Sequence, residues 1–220
     1  MADRFAEIID TYEAAFRTHG DSAAALLCPK RRQHLRFQAL APLVRTHAIE
    51  SVLDYGCGLA HLLPYLRALG WNGAYYGVDI VEAFLQYARS QATGEARFEY
   101  IQPGSKVSGH YDLVFASGVF NLRTHDTDQE SRQFTLDTLA GLFENANRFL
   151  VCDFMTDYVD FRQEGSQHWL PQDLIEFSMK RLTRRFVIRH DLMPYEFTAV
   201  FYKDAEITRP ENVYASGSAV

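Results

Sequence analysis

Cysteine is scarce in this chain. Cys28, Cys57 and Cys152 are the only three in 220 residues, and none stands in a Cys-x-x-Cys spacing. So odd and scattered a set builds no disulfide framework and fits a reducing compartment. No metal site is expected. No apolar run approaches the roughly 20 residues that cross a bilayer, and Asp3, Arg4, Glu7 and Asp10 stand where a signal peptide would be apolar. The expectation is a cytoplasmic protein with no membrane partner. Positive charge is also short. Lys and Arg number 22 against 28 Asp and Glu, a net charge of −6. The basic pairs Arg31-Arg32 and Arg184-Arg185 read as solvated surface rather than as a nucleic-acid footprint, so no nucleic-acid partner is expected. There is no internal repeat and no second domain; the length suits about one domain.

What is present centres on Val52 to Ala60, Val-Leu-Asp-Tyr-Gly-Cys-Gly-Leu-Ala. A short apolar run ends in a glycine turn, and Leu59, Leu62, Leu63 and Leu66 then repeat at helical spacing. Strand, glycine turn and helix open a βαβ unit. Gly56 and Gly58 allow a sharp turn and leave no side chain between the backbone and a ligand. The dinucleotide fingerprint asks for a third Gly or Ala three places after the second. His61 stands there, which weakens a nicotinamide reading. Asp54 closes the strand, and a carboxylate suits a cationic ligand better than a pyrophosphate. Ala74 to Asp79 reads as the second strand, with its terminal acid 21 residues beyond Gly58. An acid at that distance binds a ribose diol; capping the next helix is the competing role.

Asp-x-Gly-x-Gly, then Gly-Val-Asp, then Tyr-Asp-Leu-Val at 111–114 resemble, in order and spacing, the motifs of class I S-adenosylmethionine-dependent methyltransferases. The resemblance covers roughly residues 50 to 203. It implies an α/β fold with a seven-stranded mixed sheet of order 3-2-1-4-5-7-6, strand 7 antiparallel, and helices on both faces. In these terms residues 1–48 form an N-terminal helical cap, 49–203 the cofactor-binding core and 204–220 a loose tail of a single domain. S-adenosylmethionine is the implied cofactor. Asp54, Tyr55, Gly56, Cys57 and Gly58 would meet its amino-acid end, Asp79 and Ile80 its ribose, and Ser117, Gly118, Val119 and Phe120 the region under the sulfonium. The His-Gly at residues 19–20 and Leu-Arg-Phe at 35–37 further resemble small bacterial members of unassigned substrate.

The remaining chain frames a substrate side. Residues 3–18 carry Phe5, Ile8, Ile9, Tyr12 and Phe16 at helical spacing. A second helix can begin at Pro29, with Pro42 kinking or ending it. Phe98–Ile101 and Phe149–Phe154 read as strands, with Asp126–Asn147 as the helix before the latter. Residues 156–170 lack a long period, as a lid or substrate wall does. Pro171 starts a helix, and Arg185–His190 and Glu196–Lys203 form a closing hairpin whose connection is Asp191–Tyr195. That connection would lie at the sheet edge where ligands bind. His190 and Tyr195, with His125, are therefore the candidate catalytic residues; Tyr12, His19, Arg36, Asn121 and Glu196 are the candidate substrate contacts. Base-modifying amino-methyltransferases carry Asn-Pro-Pro-aromatic where this chain has Ser-Gly-Val-Phe-Asn. With the acidic charge, this favours a small-molecule acceptor, with N, O or C undetermined. An RNA or protein methyltransferase, a nicotinamide-dependent oxidoreductase and a non-catalytic S-adenosylmethionine-binding protein remain the alternatives.

Overall fold

A computed structural model describes residues 4–28 and 32–203. Pro29, Arg31 and the tail from 204 lie outside the described residues. Helix α1 (Arg4–His19) is followed by a short helical turn at Ala23–Leu26, then α2 (Arg32–Phe37) and α3 (Ala41–Thr46). The core runs β1 (Ser51–Tyr55), α4 (Leu62–Ala68), β2 (Ala74–Asp79), α5 (Glu82–Gln91), β3 (Ala96–Tyr100), β4 (Tyr111–Ala116), α6 (Asp128–Asn145) and β5 (Ala146–Thr156). It closes with β6 (His168–Trp169), α7 (Pro171–Phe177), a π-helical turn at Ser178–Leu182, β7 (Phe186–Met193) and β8 (Glu196–Tyr202).

The main sheet order is β3-β2-β1-β4-β5-β8-β7, with β8 antiparallel to both neighbours. This is the expected class I order, with β7 and β8 in the places of strands six and seven. The short β6 was not anticipated. It pairs parallel with the end of β5, Met155 beside His168 and Thr156 beside Trp169. Central strands are buried on both faces, as parallel strands covered by helices must be. Leu53, Val114 and Leu150 pack towards Leu139 of α6 and Leu174 of α7. Val52, Phe115 and Val151 pack on the other side towards Leu40, Leu43 and Leu62. Each such side chain is worth about 1.5–3 kcal/mol when fully buried.

Local chemistry accounts for the boundaries. Thr127 and Glu130 form a reciprocal capping box that starts α6. That helix stops at Asn145, earlier than expected, because Asn145 turns its amide to the carbonyls of Val107 and Gly109 and Ala146 already pairs with Tyr111. Pro42 does not kink a running helix. The chain breaks at 38–40, and Pro42 sits in the first turn of α3, where its missing N–H is not needed. Strand β7 continues to Met193 through a register shift after Arg189, so only Pro194 and Tyr195 connect the closing hairpin rather than five residues.

Gly77 of β2 lies between β1 and β3, beside Asp54 and Phe98. A Cβ there would stand 2.8 Å from Phe98 Cδ1 and 2.9 Å from Cys57 Sγ. Gly77→Ala is expected to cost about 1–3 kcal/mol by overpacking, measured as a lower urea midpoint with unchanged slope. An unaltered midpoint would mean that β3 yields freely.

Candidate active site

Strands β1, β2 and β4 end at the same sheet edge, Asp54 beside Gly77 and Phe115, Tyr55 beside Val78 and Ala116. The chain then folds back: Gly56 N and Cys57 N both donate to Val78 O, at 2.8 and 3.0 Å. Gly56 takes φ +73° and Gly58 φ +53°, the left-handed region where glycine is at ease. A Cβ on Gly56 would stand 2.5 Å from Val119 Cγ2, and one on Gly58 2.8 Å from Leu26 Cδ2. The turn is therefore a narrow backbone cradle between the loop after β4 and the N-terminal segment.

Two buried acids face this cradle. Asp79 Oδ2 accepts from Gly58 N at 2.7 Å, and Oδ1 from Val81 N at 2.8 Å. It thus fastens the glycine turn to the residue ahead of α5, and each oxygen keeps a further lone pair. Burial raises its carboxyl to about 6, against the pull of the backbone N–H groups. Asp54 is fully enclosed and accepts a hydrogen bond from the Tyr75 hydroxyl. Burial raises it to about 7; the Tyr75 bond opposes that rise, and the charge of Asp79 adds to it. Two such acids waiting at a glycine turn can receive a cation and a diol.

The cradle opens into a cavity of about 500 Å³. Its wall includes Asp54, Tyr55, Gly56, Cys57, Gly58, with Asp79 and Ile80 from the end of β2. Ser117, Gly118, Val119, Phe120 and Asn121 line it beyond β4. The N-terminal segment covers it with Phe5, Ile8, Tyr12, Leu26 and Cys28, and the 156–170 segment contributes Gln163 to Ser166. Pro103, which follows β3, is on the wall too. Tyr12 is pushed up to about 12, by burial first and then by the charge of Asp79.

At the far end sits an ion cluster. Arg36 of α2 grips Glu196 of β8 with two bonds, Nε to Oε2 at 2.7 Å and Nη2 to Oε1 at 2.9 Å. Arg36 Nε also lies 3.5 Å from Asp153 Oδ1, and Arg32 Nη1 3.1 Å from Glu196 Oε1. Arg32, expected to be solvated, is thus engaged on the cavity wall. Burial works against the Arg36 charge, but Asp153 and Glu196 outweigh it and raise its pKa. Asp153 also accepts from Gly118 N at 2.9 Å. Burial raises its carboxyl, Arg36 opposing.

A family model described as a methyltransferase domain matches residues 47–176. The chain belongs to that family. It is an S-adenosylmethionine-dependent methyltransferase enzyme with the class I fold. It is similar to the methyltransferase candidate Rv1506c of Mycobacterium tuberculosis, 28% identical over 155 residues that cover 70% of this chain and 93% of that protein. In fold it is similar to magnesium protoporphyrin IX methyltransferase from Synechocystis, solved with bound SAH (TM-score 0.60, 16% identity, 90% of this chain and 95% of that one). It is likewise similar to a TehB-like S-adenosylmethionine-dependent methyltransferase from Corynebacterium glutamicum (TM-score 0.58, 16% identity, 90% and 100%).

In this methyltransferase the expected cofactor-side residues come together on one wall. Of the expected substrate-side residues, Tyr12, Arg36, Asn121 and Glu196 join them. His19, His125, His190 and Tyr195 are not on the wall. His19 is exposed at the end of α1. His125 lies one layer behind, its ring between Phe5 and Phe134 and its Nδ1 bonded to Thr124. His190 is exposed with Nε2 on Pro194 O at 3.1 Å, and Tyr195 donates to Asp160. The lengthening of β7 leaves too short a connection to carry these two back over the cradle. Sequence reasoning missed Asp153, although an acid inside the apolar run 149–154 is itself a signal. It also missed Tyr75, whose bond to Asp54 had no local signature.

Two measurements probe the acids. Asp54 and Asp79 carry raised carboxyl values, so the folded state holds their protons up to pH about 6–7, whereas the unfolded chain loses them near 4. Their burial therefore costs nothing below pH about 4 and progressively more as pH rises to about 7. Asp54→Asn removes the larger share. The ligand-free variant is expected to gain on the order of a few kcal/mol over the parent at pH 8 and little at pH 4–5, read by thermal unfolding across pH. An equal gain at both ends would reject burial as the cause. Asp79→Ala should weaken S-adenosylmethionine binding by about 1.5–3 kcal/mol and also loosen the turn by orphaning Gly58 N–H. Asp79→Asn should restore the turn before it restores binding; calorimetry with undiminished affinity in both variants would remove Asp79 from the ligand.

Proposed function

We propose that this methyltransferase acts on a small-molecule acceptor held under the N-terminal segment, at the Gly118 end of the cavity. The observation that carries the reading is the enclosure. Side chains of α1 and the 23–28 segment on one side, and residues 163–166 on the other, wall a cavity of about 500 Å³. Small-molecule sites measure about 300–1,000 Å³. A duplex or a protein segment would need an open groove, and the net charge of −6 gives no field to attract a polyanion.

The residues fit the cofactor, since Gly56 and Gly58 leave a cradle that a Cβ would fill. Asp54 to Gly58 would hold its methionine end, Asp79 and Ile80 its ribose, and Ser117 to Phe120 would line the space beside the reacting methyl. Bound S-adenosylmethionine supplies a methyl group on a cationic sulfur. Ionised Asp54 would balance the cationic end, Asp79 would take the ribose hydroxyls, and the cap excludes water. Tyr12, Arg36, Asn121 and Glu196 orient the acceptor. Orientation is the larger contribution: well-aligned reactants gain roughly 7–11 kcal/mol, a general base about 10²–10⁴-fold, or roughly 3–5 kcal/mol.

With methyl-labelled S-adenosylmethionine, label is expected in low-mass products from a metabolite pool and not in RNA or protein offered alongside. Label in a macromolecule that small competitors leave unchanged would overturn the reading. His190→Ala and Tyr195→Phe, off the wall, should keep turnover within about twofold. A loss beyond about tenfold, or 1.4 kcal/mol, would bring them back to the acceptor.

A further inference from the structure

We propose that the acceptor is an oxyanion of the carboxylate class, methylated on oxygen to an ester; this rests on the small-molecule reading above. Two donors at the acceptor end are left unengaged. Arg36 spends Nε and Nη2 on Glu196, while Nη1 has no hydrogen-bond partner among the described residues. Nη1 reaches the end of β4, where a Cβ on Gly118 would be 2.9 Å from it. Across the turn, Asn121 Oδ1 accepts from Met155 N at 2.7 Å, which fixes the amide so that Nδ2 is the free end. That Nδ2 is buried without a partner among the described residues, on a side chain of the cavity wall. A buried unpaired donor is costly, and an oxygen relieves the cost. Both residues line the one cavity, and a charged oxygen pair is the group that guanidinium and amide N–H donors suit best.

On the wall beside them, the Glu196 oxygens are spent. Glu196 Oε1 takes Arg36 Nη2 and Arg32 Nη1, and Oε2 takes Arg36 Nε. Asp153 Oδ2 is unpartnered, but Asp153 is not on the wall. An ammonium would therefore meet donors with donors. Nor does the wall offer an imidazole base, since none of the eight histidines lines the cavity. Glu164 is exposed at the rim. An ionised acid needs no base. One of its oxygen lone pairs forms the new O–CH₃ bond, the methyl–sulfur bond breaks with its electrons left on a neutral sulfur, and no proton needs a taker.

The same donors could instead take the methionine carboxylate of the cofactor, so the test is made on protein saturated with S-adenosylhomocysteine. Benzoate and phenylacetate are titrated against benzamide and benzylamine by ligand-observed NMR. Carboxylates are expected to bind saturably and the other two not. Asn121→Asp keeps the oxygen for Met155 N and replaces the donor by an anionic oxygen. It should weaken carboxylate binding by about tenfold or more while S-adenosylhomocysteine affinity holds. Arg36→Lys keeps the charge but loses Nη1 together with the two-bonded grip on Glu196; read well below its lowered thermal midpoint, it should lose carboxylate affinity likewise if Asn121→Asp folds poorly. Carboxylates that fail to bind, carboxylate affinity unchanged in both variants, or a parallel loss of S-adenosylhomocysteine affinity overturns the inference. Benzylamine binding alone sinks the oxyanion and spares the small-molecule reading; transfer to a macromolecule with no small probe bound sinks both.

Discussion

The arrangement of this enzyme depends on one buried contact across 160 residues, the two-bonded grip of Arg36 on Glu196. It joins α2, ahead of the first strand, to the start of the last one, and Asp153 beneath it reaches Gly118 just beyond β4. Buried ion pairs yield little net stability, because desolvation offsets attraction; removing one partner is far worse, about 3–5 kcal/mol. An apolar trio of equal volume would hold the fold as well. What it could not do is present a charged fork, fixed in orientation and shielded from water, at the edge where β4 and β5 end. Here the stability neglected by the ion cluster is supplied by the apolar faces of the sheet, and the cluster is free to set geometry.

Much of the core was legible because its signals are local. Gly56, Gly58, Asp54 and Asp79 act through backbone conformation and strand ends, and both can be read from a few adjacent residues. Strand β2 has the bounds expected, since an apolar run between turn residues leaves little choice. Element ends that depend on distant partners were less legible. Asn145 stops α6 by reaching carbonyls at 107 and 109, and β6 exists only because the end of β5 offers it an edge. The histidine and tyrosine of the last hairpin looked suited to chemistry by type alone. A register shift in β7, invisible in the residues, decides where they stand.

Charge shows the same contrast. Arg32 read as half of a solvated pair, yet it contacts Glu196, whose side chain is 1% exposed. A run of two arginines has no sign of its own; the environment of Arg32 is set by α2 lying against the start of β8. Asp153 was the opposite case, a charge in an apolar run, where burial is almost assured and a partner must follow. Acid within a buried strand is thus a better pointer to a site than a polar residue in a turn.

His61 carries the argument one step further. Its side chain, where a dinucleotide fingerprint would have glycine, spoke only against one cofactor. In the fold it bonds Asp21 Oδ1 at 2.6 Å and Gln33 Oε1 at 3.0 Å, and Asp21 also accepts from Tyr87. One residue at the start of α4 therefore ties both the loop after α1 and the start of α2 to the core, while Leu26 rests on Gly58. A third glycine would let the helix approach a pyrophosphate but would remove this tie on the N-terminal segment. The substitution exchanges close approach for enclosure. A site whose chemistry is mostly alignment needs that enclosure more than it needs a base, because alignment is lost as soon as water and the acceptor can change places.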